Sequence, residues 1–85
     1  MSDAGHSEAA PDLELDCRGL RCPLPVVRLA QRIEEVPVGG LVALAADDPA
    51  ARPDVAARCR MRGHEYAGEA TAEDGVPVYV VRRLV

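Results

Sequence analysis

The chain has 85 residues, a formal charge of −4, ten Arg, no Lys and 14 acidic residues. Its 48% hydrophobic content includes 14 Ala, with no Phe and no Trp. A chain this short buries only about 60 to 65% of its unfolded surface, which excludes a large pocket with a many-residue active site, and the acidic balance argues against direct nucleic-acid binding.

Residues 1–12 are polar and acidic without apolar periodicity, which predicts a disordered tail ahead of one domain over 13–85. Leu13–Asp16 alternates apolar and acidic residues, as a short strand does. Residues 17–22 turn around Gly19. Pro23–Glu35 reads as a helix, because Val26, Leu29, Ala30 and Ile33 share one face of a 3.6-residue period. Gly39-Gly40 turns the chain, and Leu41–Ala46 is an apolar run suited to a central strand. Asp47-Asp48-Pro49 is a turn. A second helix is expected over Pro53–Arg62, with Val55, Ala56 and Cys59 inward and Gly63 ending it. Glu65–Thr71 is a weaker strand, Glu73-Asp74-Gly75 a hairpin signal, and Val76–Arg83 the clearest strand, with Pro77 near its start or at an unpaired edge. The order β-α-β-α-β-β predicts an α/β (α+β) two-layer sandwich, with a four-stranded mixed sheet and two helices on one face.

Charge is unevenly spread. Met1–Asp16 holds five acids and no base, whereas Cys17–Val85 holds nine acids and ten Arg. No secretory pattern opens the chain, and no apolar run approaches the roughly 20 residues of a membrane span. A cytoplasmic protein with reduced thiols is expected, without membrane attachment.

Chemistry concentrates at Arg21-Cys22-Pro23-Leu24-Pro25. Cys22 is expected at the first helix's N-cap, where the macrodipole favours thiolate, the nucleophile of sulfur exchange. Arg18, Arg21 and Arg28 would add positive potential. Pro23 and Pro25 remove two first-turn amide donors, so the thiol should be only moderately acidified. The competing reading makes Cys22 a small buried residue. Cys17 is either core or a resolving thiol for Cys22, and Cys59 is expected in the core. His64 should hydrogen-bond carbonyls at a helix end. The set Cys17, Cys22, Cys59 and His64 offers zinc-type ligands at unsuitable spacing, so no metal and no cofactor are expected.

The run Leu15-Asp16-Cys17-Arg18-Gly19-Leu20-Arg21-Cys22-Pro23-Leu24-Pro25 resembles the signature of the TusA/SirA-like sulfur carrier proteins. The likeness continues through Gly39-Gly40, Asp47-Asp48-Pro49, Asp54-Val55, Cys59, Gly63-His64 and Tyr79–Arg82. It implies the same β-α-β-α-β-β sandwich. It also implies that Cys22 accepts sulfane sulfur as a persulfide, supported by Pro23, Pro25, Arg21, Gly19 and Arg18. The implied donor is a cysteine desulfurase or a rhodanese-like protein, and the acceptor a DsrE-like or other protein. The family serves tRNA thiolation, molybdenum cofactor metabolism and sulfur oxidation. Cys17 and the first 12 residues depart from the common pattern, and Arg82-Arg83 stand where Lys is common. The expected role is a monomeric relay rather than an independent turnover enzyme. The alternative is a regulatory or interaction module that docks a partner through the Cys22 end or the open sheet face without moving sulfur.

Overall fold

The computed structural model describes residues 10–85. The expected acidic tail falls mostly outside them. Asp12, however, is tied down: its amide donates to the Leu41 carbonyl at 2.8 Å, and its carboxylate accepts the Leu41 amide at 2.9 Å.

The elements are β1 (Leu13–Asp16), α1 (Leu24–Arg32) with a 3-10 turn over Ile33–Glu35, β2 (Leu41–Ala45), α2 (Ala51–Arg62), β3 (Glu65–Thr71) and β4 (Pro77–Arg82). The sheet order is β1-β2-β4-β3. β1 and β2 are parallel, and β4 runs antiparallel to both of its neighbours. This is the expected four-stranded mixed sheet. The apolar runs that read most clearly as strands, β2 and β4, are its two central members. Pro77 opens β4, where its missing amide costs the ladder least.

Register decides which side chains face the helices. Leu15 pairs with Leu44, Leu44 with Tyr79, and Val42 with Val81. Strand side chains alternate between faces, so this set lies on one side of the sheet. There it joins Leu29, Ile33, Val36, Ala51, Val55 and Cys59 in a single core. Pro25 is as deeply buried as these, which sequence periodicity did not reveal. On the open face Ala43, Val78 and Val80 are half-buried. β3 carries a bulge between Tyr66 and Gly68. Beyond it Glu69 is set opposite Tyr79, on the helix side, where it pairs with Arg52 of α2 at 2.9 Å.

α2 begins two residues earlier than expected. Asp48 Oδ1 accepts the Ala50 amide at 3.0 Å, which starts the turn, and Pro53 sits in the first turn, where a missing N–H is tolerated. Gly63 ends α2 in the left-handed conformation (φ 80°). Gly40 is required for another reason. A Cβ there would lie within 3.0 Å of Val36, Asp12 and the Pro37 carbonyl. The terminal arginines use their forked geometry. Arg82 bonds Glu65 and the Gly39 carbonyl, and Arg83 bonds the Val36 carbonyl at 2.7 Å, so both clamp the end of β4 to the loop before β2. Among the described residues no helix is long and apolar enough to cross a membrane.

Candidate functional site

Parallel pairing of β1 and β2 places their C-terminal ends side by side. The loops that follow them therefore meet. Cys17 continues the ladder, its amide donating to the Ala45 carbonyl at 2.8 Å. The chain then turns at Gly19 (φ 79°), whose amide donates to the Asp47 carboxylate at 3.1 and 3.3 Å. The Cys22 amide donates to Asp48 Oδ2 at 2.7 Å. Asp48 thus grips two segments at once, with one oxygen on Ala50 and the other on Cys22. Those two amides, Ala50's first, and the nearby Arg21 charge hold the Asp48 carboxyl below its ordinary range.

Cys22 is exposed but lies one residue ahead of the place expected for it. Pro23 is the N-cap of α1 (φ −101°, ψ 19°) and Leu24 the first helical residue. The Leu24 amide is taken by the Arg21 carbonyl at 2.8 Å, and the Val27 amide by the Pro23 carbonyl at 3.0 Å. With Pro25 in the first turn as well, few helix amides remain to favour a thiolate.

The facing group decides the thiol's state. Asp54, in the first turn of α2, accepts a hydrogen bond from Cys22 Sγ at 2.7 Å. That bond pushes the Cys22 thiol above its ordinary value, and burial and the charges of Asp54 and Asp48 add to the push. The expectation of an acidified thiol is therefore corrected: the resting group is a thiol held by a carboxylate.

The expected positive field is corrected too. Arg18 turns away to the β3–β4 hairpin. Its Nε and Nη2 bond Asp74 at 2.9 and 3.2 Å, and its Nη1 bonds Asp16 at 3.0 Å. Arg28 opposes the upward push on Cys17, not on Cys22. Of these three arginines only Arg21 stays beside the site, next to Asp48, while Arg58 of α2 lines the cleft in front of Cys22. The charges that act on the Cys22 thiol are those of Asp54 and Asp48.

In front of Cys22 lies a shallow cleft of about 280 Å³, lined by Cys22, Pro23, Val26, Asp54, Ala57, Arg58 and Met61. Met61 is 76% exposed, and Leu24 and Val27 are exposed on α1. A second hollow of about 340 Å³, between Ile33, Arg58, Arg62, His64 and Arg83, does not include Cys22.

The other two thiols are inside. Cys17 is 1% and Cys59 2% exposed, and burial pushes both thiols up. Cys17 takes the core role, and all three cysteines are free. The four zinc-type residues are not brought together: two lie in the core, one at the loop edge and one just past the end of α2.

His64 meets the expectation with its backbone and uses its ring differently. The helix-end bond comes from the His64 amide, which donates to the Cys59 carbonyl at 2.9 Å, while the ring Nδ1 accepts the Leu84 amide at 3.2 Å. Burial, then the charges of Arg83, Arg58 and Arg62, hold its pKa below the ordinary value. The folded state therefore favours the neutral ring. The unfolded chain binds the extra proton first as pH falls, so this contribution is present above the ordinary histidine pKa and is lost as pH drops from there toward the folded value. Urea midpoints should fall across that interval in the parent and less in His64→Gln. Equal slopes would show that His64 is not the responsible group.

Asp47, Asp48 and Asp54 are the site residues that sequence reasoning passed over. Asp47 and Asp48 read as a turn and, like Asp54, as positions of the resemblance, with no role at the thiol. A signal was present: once β1 and β2 are parallel, the loop at 17–22 must meet the loop at 46–50 and the start of α2.

A two-layer α+β body with one exposed thiol on its loop edge is the class that this fold and site define. It matches in fold the crystal structure of a SirA-like protein from Desulfitobacterium hafniense (TM-score 0.72, 22% identity, covering 86% of this chain and 99% of that one). The family model described as "Sulfurtransferase TusA" matches residues 13–83. The chain is 43% identical over 72 residues to a protein of Pseudomonas syringae named "Sulfur carrier protein TusA", covering 85% of this chain and 84% of that relative. It is 41% identical over 69 residues to a "Putative sulfur carrier protein" of Archaeoglobus fulgidus, covering 81% and 90%. The chain belongs to the TusA family.

Proposed function

We propose that this protein is a sulfur carrier, that Cys22 is the residue that holds the sulfur, and that it does so as a persulfide. One observation carries the assignment: of the three thiols, only Cys22 is exposed, at the edge of a cleft with an apolar rim. Membership of the TusA family and the names of the relatives support it.

The remaining residues of the expected site serve the loop. Pro25 anchors it in the core, Pro23 caps α1, Gly19 makes the turn, and Asp47 and Asp48 hold the turn to β2 and α2. Arg21 balances Asp48. Arg18 fixes the hairpin against the loop. Pro23, Val26, Ala57 and Met61 give the cleft apolar lining that a partner can bury, and Leu24 and Val27 are exposed on α1. No large pocket is needed, because the partners bring the chemistry of making and using the sulfur.

The donor in this reading is a cysteine desulfurase or a rhodanese-like sulfurtransferase, and the acceptor a DsrE-like or comparable protein. The pathway served is tRNA thiolation, molybdenum cofactor synthesis or sulfur oxidation. The test is intact mass after incubation with cysteine and a desulfurase. The untreated protein should gain the mass of one sulfur atom, reversed by a thiol reductant. Protein whose exposed thiol has first been capped with iodoacetamide should gain nothing. Equal gain by the capped protein would remove Cys22 from the role.

A further inference from the structure

A carrier whose thiol is held protonated must dispose of that proton each time sulfur arrives, and recover it each time sulfur leaves. We propose that Asp54 is the proton partner of Cys22 in both half-reactions. This rests on the reading of Cys22 as the carrier and adds a second catalytic residue to it.

The geometry is direct. Asp54 Oδ2 lies 2.7 Å from Sγ, within the reach required of a general base. The carboxylate is placed by backbone, not by a flexible loop. Asp54 sits in the first turn of α2, and its amide donates to the Ala50 carbonyl at 3.2 Å. Among the described residues Asp54 takes part in no ion pair, so no arginine holds its charge away from the thiol. The other charged groups at the site are Asp48 from the β2–α2 loop, Arg21 from the β1–α1 loop and Arg58 on α2, one helical turn from Asp54.

The chemistry balances without any oxidant. On loading, Sγ forms a bond to the terminal sulfur of the donor's persulfide. The donor's sulfur–sulfur bond breaks, and its electron pair leaves on the donor thiolate. The Sγ proton passes to Asp54 Oδ2. On discharge, an acceptor thiolate attacks the terminal sulfur on Cys22, the bond from Sγ to that sulfur breaks with its pair on Sγ, and the proton returns from Asp54. One thiol and one persulfide enter each step, and one of each leaves.

The acid strengths fit this use. A carboxylate is too weak a base to strip a resting thiol, so the empty carrier stays protonated. A sulfur atom bonded to a second sulfur cannot keep the proton at all. A base lying between those extremes takes the proton as the new bond forms. The same feature keeps the idle thiol from reacting with oxidants, because the thiolate is the reactive form.

The experiment follows single-turnover loading from glutathione persulfide by mass spectrometry, with the pH profile of Cys22 alkylation measured in parallel. Asp54→Asn should bring the alkylation midpoint down, since the accepting carboxylate is gone. It should nonetheless slow loading at neutral pH, on the order of 10²-fold. Asp54→Glu, which keeps the carboxylate, should recover part of the rate. The parent itself should load more slowly in deuterated water. A midpoint that does not move, a variant that loads as fast as the parent or faster, or a parent with no isotope effect overturns the role of Asp54. A parent that gains no sulfur under any donor overturns the carrier reading and this one with it. Failure of Asp54 alone leaves a parent that loads normally.

Discussion

Leu44→Ala is expected to lower the unfolding free energy by about 2 to 5 kcal/mol, the usual cost of emptying a fully buried leucine site. Leu44 is 0% exposed and stands on the central strand β2, between Leu15 on β1 and Tyr79 on β4. It is therefore surrounded on its own face of the sheet and covered by the helices. The site cannot collapse easily, because its neighbours are fixed by strand register. A small domain has a stability of about 5 to 15 kcal/mol, with chains this short toward the low end, so the variant should be marginal at 25 °C. Urea unfolding should show a lower midpoint with an unchanged slope. Val80→Ala, half-buried on the open face, should move the midpoint far less. If the two variants behaved alike, the helices would not be packed on the face assigned to them.

Cys22→Ser and Cys17→Ser should separate function from stability in opposite directions. Cys22 is exposed, and a serine hydroxyl can still donate to Asp54, so its stability change should stay within about 0.5 kcal/mol. All sulfur loading should be lost with it, because the oxygen cannot carry a sulfane sulfur in a reversible exchange. Cys17 lies in the core at 1% exposure. A serine there buries a hydroxyl among apolar side chains, at a cost of about 1 to 3 kcal/mol if it finds no partner. Loading should survive, provided the assay is run well below the unfolding midpoint. Loss of loading in Cys17→Ser with the fold intact would restore the resolving-thiol role that its burial argues against.

Much of the architecture could be read from the chain. The alternation in Leu13–Asp16, the apolar run at Leu41–Ala46 and the Val-rich run after Gly75 each match one strand, the second ending one residue early at Ala45. The 3.6-residue period over Pro23–Glu35 points to Leu29 and Ile33, both buried, although Ile33 falls in the 3-10 turn that follows α1. These signals are local, set by which face of an element meets the core. Burial of Pro25 is not legible in the period, because a proline in the first turn signals a helix start and says nothing of which way its ring packs. The start of α2 is not legible locally, because the turn that leads into it is held by the Asp48 side chain, which reaches past Pro49 to accept the Ala50 amide.

The site was legible only in part. Cys22 stood out, because its motif is contiguous. Its electrostatic surroundings did not, since they come from residues 26 and 32 positions away. Counting nearby arginines gave the wrong sign. Arg18 is close in sequence, but it is neutralised by Asp74, brought over by the hairpin between β3 and β4. A basic residue near a cysteine in sequence says little until its own partner is known. Three carboxylates, Asp47, Asp48 and Asp54, sit at the thiol's edge of the fold, although residues 17–85 as a whole carry one more Arg than acids.

Carriage of the sulfur by one exposed thiol can be tested at the residue itself. The direct measurement is peptide mapping by mass spectrometry of the loaded protein, before and after addition of an acceptor thiol protein. The added sulfur should be found on the peptide containing Cys22 alone, and should disappear from it as the acceptor gains the same mass. Sulfur on the peptides of Cys17 or Cys59, or sulfur on Cys22 that no acceptor removes, would contradict the account.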